Sequence, residues 1–422
     1  MNNSHSDGDF VEYADKKVFK TGTYKNGKLD GVFKEYYKNG KVKKEVVYKN
    51  GILDGTSKFY YENGRLTNEI RYKNGELNGI WKEFYKNGRI KFEFPYVSGQ
   101  LNGTAKWYYE NGSLEKEESY KNDRYDGIWK SYYENGKIHT ETPYCSDSIE
   151  GIERHYYKNG KTEAERPYIN GKLEGIMRYF YENGKLKTEA QYKNGALNGV
   201  SRGYYENGKL KVEFQYKNGE RCGVNKKYYE NGRVKTETCY NDGIRDSVRE
   251  EYYDNGQLKR ETPYKNGKIE GVAKIYFEDG QLTSEIPYIN NEPEGIWKEY
   301  YPGGQLKFEF PYVNGRLNGM AKWYYENGTL KKEETYKNDQ YDGSWKLYFS
   351  NGKLHQEAFY KNDLQQGSMK VYKASGRIWV EFLYKDGYAV SGAFYSLNDT
   401  WVPFTQEEIV SWNSSSCVRC SC

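Results

Sequence analysis

The sequence predicts an all-β fold: an elongated single-layer antiparallel β-meander or solenoid of 24-residue hairpin repeats, twisted or trough-like. Glutamate occupies position 45 and every 24th position after it, fifteen times, ending at Glu381. Tyrosine recurs with the same period from Tyr24 to Tyr384. Many periods, such as residues 181–204, contain two Asn-Gly dipeptides between short Tyr- and Val-rich runs, and this is the strongest local hairpin signal. A length of 422 residues alone would suggest two or three globular domains. The fixed period identifies a repeat array instead, and it is the stronger evidence.

Composition excludes several classes of protein. Only 36% of residues are apolar and the mean hydropathy is −1.07, which is too polar for a large dry core. Aromatic residues nevertheless make up 17% of the chain, with 47 tyrosines, whereas disordered chains are poor in aromatics. The 65 basic and 60 acidic residues nearly cancel and recur within each repeat. We therefore expect no basic stripe and no nucleic-acid partner.

The repeats divide the chain into four segments. Residues 1–24 form a degenerate N-terminal capping repeat, with Tyr13 and Val18 in phase. Residues 25–384 hold fifteen repeats, 385–397 a partial repeat, and 398–422 a tail with a short helix and a cysteine-rich terminus. Loss of the repeat pattern in the first and last repeats is typical of capped solenoids. About 30 strands at about 4.8 Å spacing would span on the order of 140 Å, and strand twist would curl such a sheet.

The first hairpin is predicted by counting outward from Asn39-Gly40 as a two-residue turn. This places Tyr36 opposite Lys43 and Lys34 opposite Glu45. A three-residue loop with a bulge would shift the pairing by one residue and bring Lys34 against Lys44, so the two-residue turn is preferred. A third glycine, Gly31 and its equivalents, closes each repeat except at Ser247, which indicates a backbone conformation that side chains disfavour.

A charge ladder follows from this register. The position of Lys34 is basic in fourteen of fifteen repeats, with Glu250 as the exception. A basic residue opposite each glutamate would contribute about 0.2–1 kcal/mol per pair. We assign a structural role to these pairs, of which representative members are Lys34 and Glu45, Lys82 and Glu93, Lys130 and Glu141, and Lys298 and Glu309.

Strand alternation then sorts the two faces of the sheet. The more apolar face is predicted to carry Tyr37, Val42, Val46 and Tyr48 with their equivalents. The wetter face is predicted to carry Val32, Lys34, Tyr36, Lys43 and Glu45 with theirs.

Two distant blocks match far beyond the repeat pattern. Residues 80–139 and 296–355 correspond at an offset of 216 residues, which is nine repeats. Block duplication is one explanation. The functional alternative is a pair of equivalent aromatic patches that bind a repeated or dimeric partner, since exposed Trp-rich patches favour binding. The candidate patches are Trp81, Trp107 and Trp129, and Trp297, Trp323 and Trp345.

The frame Tyr-Lys-Asn-Gly-x-Leu-x-Gly at Tyr192–Gly199, followed by Tyr-Tyr-Glu-Asn-Gly ending at Gly208, resembles the variant MORN repeat of many bacterial proteins. Ordinary MORN repeats carry a His-Gly-x-Gly segment that is missing here. The resemblance covers most of the chain and implies an elongated β-meander used for protein contact or membrane association. Some relatives are described as antitoxins and others as lipid kinases, but neither description follows from these residues.

Signals for catalysis are weak. The four histidines are scattered through different repeat units, and no glycine-rich loop ends in Gly-Lys-Ser/Thr. His139 and His355 occupy equivalent positions, so duplication explains them better than catalysis. The glutamates could bind cations or act as a general acid, but the basic residue opposite nearly every one favours a structural role. We predict no enzyme, no catalytic residue and no cofactor.

In the tail, Thr405 and Glu408 have capping-box spacing before Ile409, which predicts a short helix. Trp401, Phe404 and Trp412 are expected to fold back over the last strand and cover its open edge, which otherwise invites pairing with another chain.

Three cysteines, Cys417, Cys420 and Cys422, lie in the last six residues. Three thiolates are one short of a closed structural zinc site, so a metal would need a ligand from elsewhere. A terminal Cys-x-Cys also resembles doubly prenylated C-termini, in which two lipid chains give stable anchoring. The same cysteines could instead form disulfides, or have no role beyond that of reactive thiols.

The prediction from the sequence is a non-enzymatic scaffold that binds a protein partner along an extended aromatic and charged β-surface. The alternatives are a membrane-associated scaffold tethered through the C-terminal cysteines, or an antitoxin that neutralises a toxin by direct binding. The first residues, Met1 to Asp7, have no basic segment followed by an apolar stretch, and no run approaches 18 apolar residues. A cytoplasmic location, possibly membrane-associated, is expected.

Overall fold

The computed structural model describes residues 6–396 and 400–416. The chain forms two compact units, residues 1–209 and 210–422, and each is described by itself. Within each unit, antiparallel strands follow one another in chain order and pair with their neighbours. Among the described residues, one helix is present, in the second unit after the last strand. The first and last strands of a unit do not pair with each other in the described part of the chain, so neither sheet closes. The predicted all-β antiparallel meander of hairpins is confirmed.

Each repeat contributes an outgoing and a return strand. The return strand always has eight residues, which reflects the strict period. In the first unit the return strands are Val42–Lys49, Leu66–Lys73, Ile90–Val97, Leu114–Lys121, Ile138–Cys145, Thr162–Ile169 and Leu186–Lys193. In the second unit they are Leu210–Lys217, Val234–Asn241, Leu258–Lys265, Leu282–Ile289, Leu306–Val313, Leu330–Lys337, Leu354–Lys361 and Ile378–Lys385.

Most outgoing strands are divided into a two-residue and a longer segment. In the first unit these are Lys28–Leu29 and Gly31–Tyr36, Ile52–Leu53 and Gly55–Tyr60, Glu76–Leu77 and Gly79–Phe84, Gln100–Leu101 and Gly103–Tyr108, Arg124–Tyr125 and Gly127–Tyr132, Ser148–Ile149 and Gly151–Tyr156, Lys172–Leu173 and Gly175–Phe180, and the undivided Ala196–Tyr204. In the second unit they are the undivided Glu220–Tyr228, Ile244–Arg245 and Val248–Tyr252, Lys268–Ile269 and Gly271–Tyr276, Glu292–Pro293 and Gly295–Tyr300, Arg316–Leu317 and Gly319–Tyr324, and the undivided Gln340–Tyr348 and Leu364–Tyr372.

Further elements flank the repeats on both sides. Gly8–Ala14 and Lys17–Lys25 form an N-terminal hairpin whose two turn residues, Asp15 and Lys16, both have positive φ. After the last return strand come Tyr388–Tyr395, Trp401–Pro403 and the helix α1, Gln406–Ser416.

The two Asn-Gly turns of a repeat have different geometries. Asn26 and Gly27 both have positive φ, 52° and 71°, and join Lys25 to its partner Lys28, as a two-residue type I′ turn requires. At Asn39-Gly40 only Gly40 has positive φ. Its N–H donates to the Tyr37 carbonyl at 2.9 Å, and the Tyr37 N–H donates to the Lys41 carbonyl at 2.8 Å. This is a three-residue loop, so the predicted two-residue turn is wrong here.

Lys34 nevertheless pairs with Glu45, because a β-bulge in the return strand offsets the one-residue shift that the three-residue loop introduces. Tyr36 pairs with Val42 and Glu35 with Lys44, which leaves Lys43 as the extra residue of a β-bulge. Directly paired residues share a face, so Val42 lies on the face of Tyr36. The Lys43 ammonium lies 2.7 Å from the Glu35 carboxylate on the other face. The faces predicted for Val42 and Lys43 were therefore wrong.

The glycine that closes each repeat has a steric reason. Gly55 has φ of 131°, and a Cβ added there would lie 2.8 Å from the Val47 Cβ. Neither the backbone angle nor the space accepts a side chain. In the repeat with Ser247 the following strand segment begins at Val248 and has five residues instead of six.

We call the side that carries Phe33, Val46 and Tyr48 the aromatic face, and the side that carries Lys34 and Glu45 the ladder face. Full burial of apolar side chains is confined to the aromatic face, at Val46 and at small residues such as Ala105 and Ala321. A single layer has no second layer to pack against, so most side chains are half-buried.

The helix covers the aromatic face at the end of the chain. Thr405 and Glu408 form the reciprocal capping box, with the Thr405 N–H 2.7 Å from the Glu408 carboxylate and the Glu408 N–H 3.3 Å from the Thr405 hydroxyl. Phe404 and Trp412 both stack on Phe382, at ring distances of 5.0 and 4.6 Å.

Two hydrogen bonds with Asn413 satisfy backbone groups at the open edge of the strand Tyr388–Tyr395. The Asn413 carboxamide accepts from the Ala389 N–H at 2.9 Å and donates to its carbonyl at 3.0 Å, as a neighbouring strand would. Trp401 also lies along this open edge, but as part of an added strand. It pairs with Tyr395 in a short added strand and remains 44% exposed.

Candidate binding surfaces

The ladder face carries alternating charges from strand to strand. Glu45 faces Lys34 of its own hairpin and Lys58 of the next repeat. The Lys34 and Glu45 side chains are 3.4 Å apart, and the other representative pairs, Lys82–Glu93, Lys130–Glu141 and Lys298–Glu309, are separated by 3.1, 3.4 and 3.9 Å. The structure thus places all eight of the representative ladder residues in ion pairs.

Tyrosine hydroxyls also donate hydrogen bonds to ladder glutamates, a contact that the sequence analysis did not predict. The Tyr156 hydroxyl donates to the Glu141 carboxylate at 2.7 Å from the next repeat. Burial, together with the hydrogen bond and charge of Glu141, raises the pKa of Tyr156 to about 12. The signal was present in the sequence, as an aromatic residue two positions after each ladder cation. The same bond joins Tyr108 to Glu93, Tyr132 to Glu117, Tyr204 to Glu189, Tyr276 to Glu261, Tyr300 to Glu285, Tyr324 to Glu309, Tyr348 to Glu333 and Tyr372 to Glu357.

Glu250 interrupts the ladder, because the other repeats carry a basic residue at its position. Glu250 faces Glu237 on one side and Glu261 on the other, so three carboxylates lie on adjacent strands. The Tyr252 hydroxyl donates to Glu250 at 2.5 Å instead of reaching Glu237. In the described part of the chain no group of three or more His, Cys, Asp or Glu side chains is arranged to hold a metal ion.

An exposed apolar stripe runs beside the ladder on the same face. In the first unit Ile128 pairs with Pro143 and Ile152 with Pro167, and Ile176 continues the row. The three isoleucines are 51%, 41% and 43% exposed. A shallow hollow of about 300 Å³ lies between Ile128 and Ile152 and is bordered by ladder residues Glu141 and Arg154.

The second unit repeats the pattern over four consecutive hairpins. Val248 pairs with Pro263, Val272 with Pro287 and Ile296 with Pro311, and Met320 follows. We call this row and the one in the first unit the apolar stripe. The sequence analysis placed Val32 on this face but did not connect the recurring β-branched residue with the proline that pairs with it.

The first predicted Trp patch is a packed cluster. The Trp81 ring lies 5.4 Å from Phe92, and Phe94 lies 5.0 Å from Trp107. The Trp81 indole N–H donates to Asn68 at 3.1 Å. The structure does not bring Trp129 into this cluster. Trp129 packs instead on Tyr125 at 4.1 Å, and its indole N–H has no hydrogen-bond partner among the described residues.

The second patch reproduces the first. Trp297 lies 5.4 Å from Phe308, and Phe310 lies 4.9 Å from Trp323. The indole N–H groups of Trp297 and Trp345 donate to Ser284 and Glu334 at 2.7 and 2.8 Å. All six candidate tryptophans are half-buried on the aromatic face. Their contacts are those of a packed face, and their indole groups offer few free donors.

Cys417, Cys420 and Cys422 lie outside the described residues, so their role stays a prediction. Cys145, Cys222 and Cys239 are free thiols, and Cys145 is exposed. The equivalent histidines have equivalent neighbours: His139 packs on Tyr133 at 4.5 Å and His355 on Phe349 at 4.2 Å.

The comparison with protein families identifies the repeat. The MORN repeat variant pattern matches fourteen segments of the chain, which start every 24 residues and together cover well over half of it. The chain belongs to this family. The matched segments are 29–50, 53–74, 77–98, 101–122, 125–146, 149–170, 173–194, 197–218, 221–242, 245–266, 269–290, 293–314, 317–338 and 341–362.

Solved structures with a similar chain course include TcdB2-TccC3 and its complex with Cdc42, each with 11% sequence identity. The matches cover 89% and 93% of this chain but only 26% of each of those chains, with TM-scores of 0.15 and 0.14. At these values the likeness says nothing about function. No curated protein is similar enough to give a match. Within residues 6–396 and 400–416, no helix has the length and apolar character needed to cross a membrane.

Proposed function

We propose that this chain is a non-enzymatic scaffold that binds a protein partner along the ladder face. The observation that carries the proposal is the apolar stripe, in which exposed, mostly β-branched side chains lie beside half-buried prolines in consecutive repeats of both units. Soluble proteins rarely expose contiguous apolar surface unless another molecule covers it.

The surroundings of the stripe support a protein partner. Protein interfaces combine an apolar centre with a polar, charged rim. Here the stripe runs beside ion pairs such as Lys130–Glu141, whose charges alternate along the face. A partner segment with its own apolar row and alternating charges would complement both features, and its charges would set its register.

The stripe is a better candidate than the two Trp patches. The tryptophan rings pack on neighbouring aromatic rings and are half-buried, so little of their surface is left for a partner. The isoleucines of the stripe are more exposed and lie on the face with the charge pattern. The membrane tether and the antitoxin gain no support from the described residues.

Paired substitutions test the proposal in the full chain. Ile152→Lys with Ile176→Lys places two charges on the stripe, and Ile52→Lys is the matched control because Ile52 is 52% exposed near a turn outside the stripe. Tagged proteins are purified from the native host, and co-eluting proteins are quantified. We expect a stoichiometric partner with the wild type and the control, and its loss with the double variant. Retention of that partner by the double variant would refute the assignment of the surface.

A further inference from the structure

Two neighbouring repeats of the second unit depart from the pattern on the aromatic face. The residue paired with the repeat tyrosine is Leu29 in the first repeat but Arg221 and Arg245 here. Arg221 pairs with Tyr216, and Arg245 pairs with Tyr240. Two cations thus occupy positions that are otherwise mostly aliphatic or aromatic.

These arginines border a small cavity with further cations. The cavity has a volume of about 90 Å³, and Arg221, Lys227, Arg245 and Arg249 line it together with Tyr240 and Thr238. Liquid water occupies about 30 Å³ per molecule, so the space corresponds to roughly three waters. A small polyatomic ion is of this size.

The cluster has an excess of positive charge. Of the four lining cations only Arg249 forms an ion pair within the described residues, with Glu251 at 3.1 Å. Glu251 also faces Arg260 in the strand register, and the Arg260 Nε is buried without a hydrogen-bond partner there. Four cations therefore line the cavity beside one carboxylate, and that carboxylate is already paired with Arg249.

Neutral aromatic groups hold the guanidinium groups in place. Arg221 lies 4.4 Å from the Phe214 ring, and Arg245 lies 5.3 Å from the Tyr264 ring. Arg245 and Arg221 donate to the Tyr240 hydroxyl over long distances, 3.3 and 3.4 Å. An oxyanion would be a stronger acceptor for these donors than a phenol.

The positive charges of Arg245 and Arg221 also change the pKa of Tyr240. Burial opposes its ionisation, but the hydrogen bonds and charges of Arg245 and Arg221 outweigh burial and lower the pKa of Tyr240 below its ordinary value. The shift is opposite to that of Tyr156 and Tyr276, whose pKa values are raised.

We propose that Arg221, Lys227, Arg245 and Arg249 form a binding site for a tetrahedral oxyanion, a phosphate ion or a phosphate monoester. The guanidinium groups match the geometry of phosphate oxygens, and Lys227 adds a point charge. This site lies on the aromatic face and does not depend on the proposed partner of the ladder face.

Isothermal titration of the full chain with inorganic phosphate at low ionic strength tests the site. The variant Arg221→Leu with Arg245→Ile installs residues that this position carries elsewhere, as in Leu29 and Ile269, so the fold should tolerate it. Arg233→Gln is the matched control, since Arg233 lies in an exposed turn and donates to the Asp254 carbonyl. Phenyl phosphate is titrated in parallel as a monoester.

We expect saturable phosphate binding to the wild type and the control, weakened about tenfold or more for each guanidinium removed. Tighter binding of phenyl phosphate would support a phosphorylated molecule as the source, and equal binding would support the free ion. Two results would overturn the proposal: no saturable binding of either compound to the wild type, or unchanged binding to the double variant.

Discussion

At the scale of single residues, many ladder glutamates accept a tyrosine hydrogen bond, and several of them, such as Glu141, also form an ion pair. Glu141 lies 3.4 Å from the Lys130 ammonium and accepts from the Tyr156 hydroxyl at 2.7 Å. Each such ion pair is partly exposed and contributes little alone, because water screens it. Because these ion pairs and tyrosine hydrogen bonds recur along the sheet, their contributions to stability add up. The tyrosine hydrogen bonds also connect each repeat to the next.

Alkaline pH should weaken the fold. Burial and the bonds to ladder glutamates raise the pKa of Tyr156, Tyr276 and Tyr348 to about 12. The unfolded chain loses these protons near pH 10, so it binds fewer protons than the folded chain between about 10 and 12. The stability contribution is complete below about pH 10 and is lost as pH rises towards 12. Urea midpoints followed by circular dichroism should fall across this range and stay level just below it.

The Glu141 carboxylate should account for part of this shift. Glu141→Gln removes a negative charge beside the phenol and should lower the pKa of Tyr156, as followed by NMR of ¹³C-labelled tyrosine. Glu134→Gln, at an exposed turn, should leave it unchanged. An unaltered Tyr156 titration in Glu141→Gln would show that burial alone sets it.

At the scale of secondary-structure elements, the sequence predicted the hairpins but not their irregularities. The Lys34–Glu45 register was obtained from a two-residue turn, whereas the structure reaches it through a three-residue loop and a bulge at Lys43. The two one-residue shifts cancel, so charge pairing alone could not distinguish the two geometries. Only the faces of Val42 and Lys43 differ between them, and both residue types are tolerated on either face.

The repeat-closing glycine should resist substitution. Gly103 has φ of 117°, and an added Cβ would lie 3.2 Å from Pro95 Cγ. Gly103→Ala should therefore lower the unfolding free energy by about 1–3 kcal/mol, measured by urea denaturation. Gly88→Ala is the control for the steric contact: Gly88 also has positive φ, 91°, but nothing lies within 4 Å of the added Cβ, so the loss should be smaller. Equal losses for the two variants would contradict the steric explanation.

The helix α1 should protect the last strand through one side chain. Asn413→Ala removes both hydrogen bonds to the buried Ala389, and an unpaired buried polar group costs about 1–3 kcal/mol. Amide hydrogen exchange at Ala389 should accelerate about tenfold or more. Val410→Ala changes a side chain that is 62% exposed and should leave exchange at Ala389 as it was. Similar exchange rates in both variants would mean that Asn413 does not cap the edge.

At the scale of the whole molecule, stability within each unit is a sum over neighbouring repeats. Deleting residues 106–129 removes one full period and places Lys130 opposite Glu93, where Lys106 stood. We expect the β-sheet circular dichroism per residue to be preserved. Deleting residues 106–117 instead places Glu118 opposite Glu93 and should disrupt folding. Equal behaviour of the two deletions would contradict a register set by the ladder.

The period, the polar composition and the Asn-Gly turns were sufficient to predict the meander, because they recur and reinforce one another. The division into two units could not be predicted, since no change of composition marks residue 209. The apolar stripe was missed because alternation assigned Val32 to a face that seemed dominated by Lys34 and Glu45. The partner proline becomes part of the same surface only when register is known, as for Ile128 and Pro143.

We propose that the ladder face binds a protein. Site-specific photo-crosslinking in the native host tests it most directly, with the crosslinker at Ile152 on the apolar stripe or at Ser131, half-exposed on the aromatic face. The proposed function predicts one defined crosslinked protein from position 152 and none from position 131. Crosslinks only from position 131, or none from position 152, would contradict it.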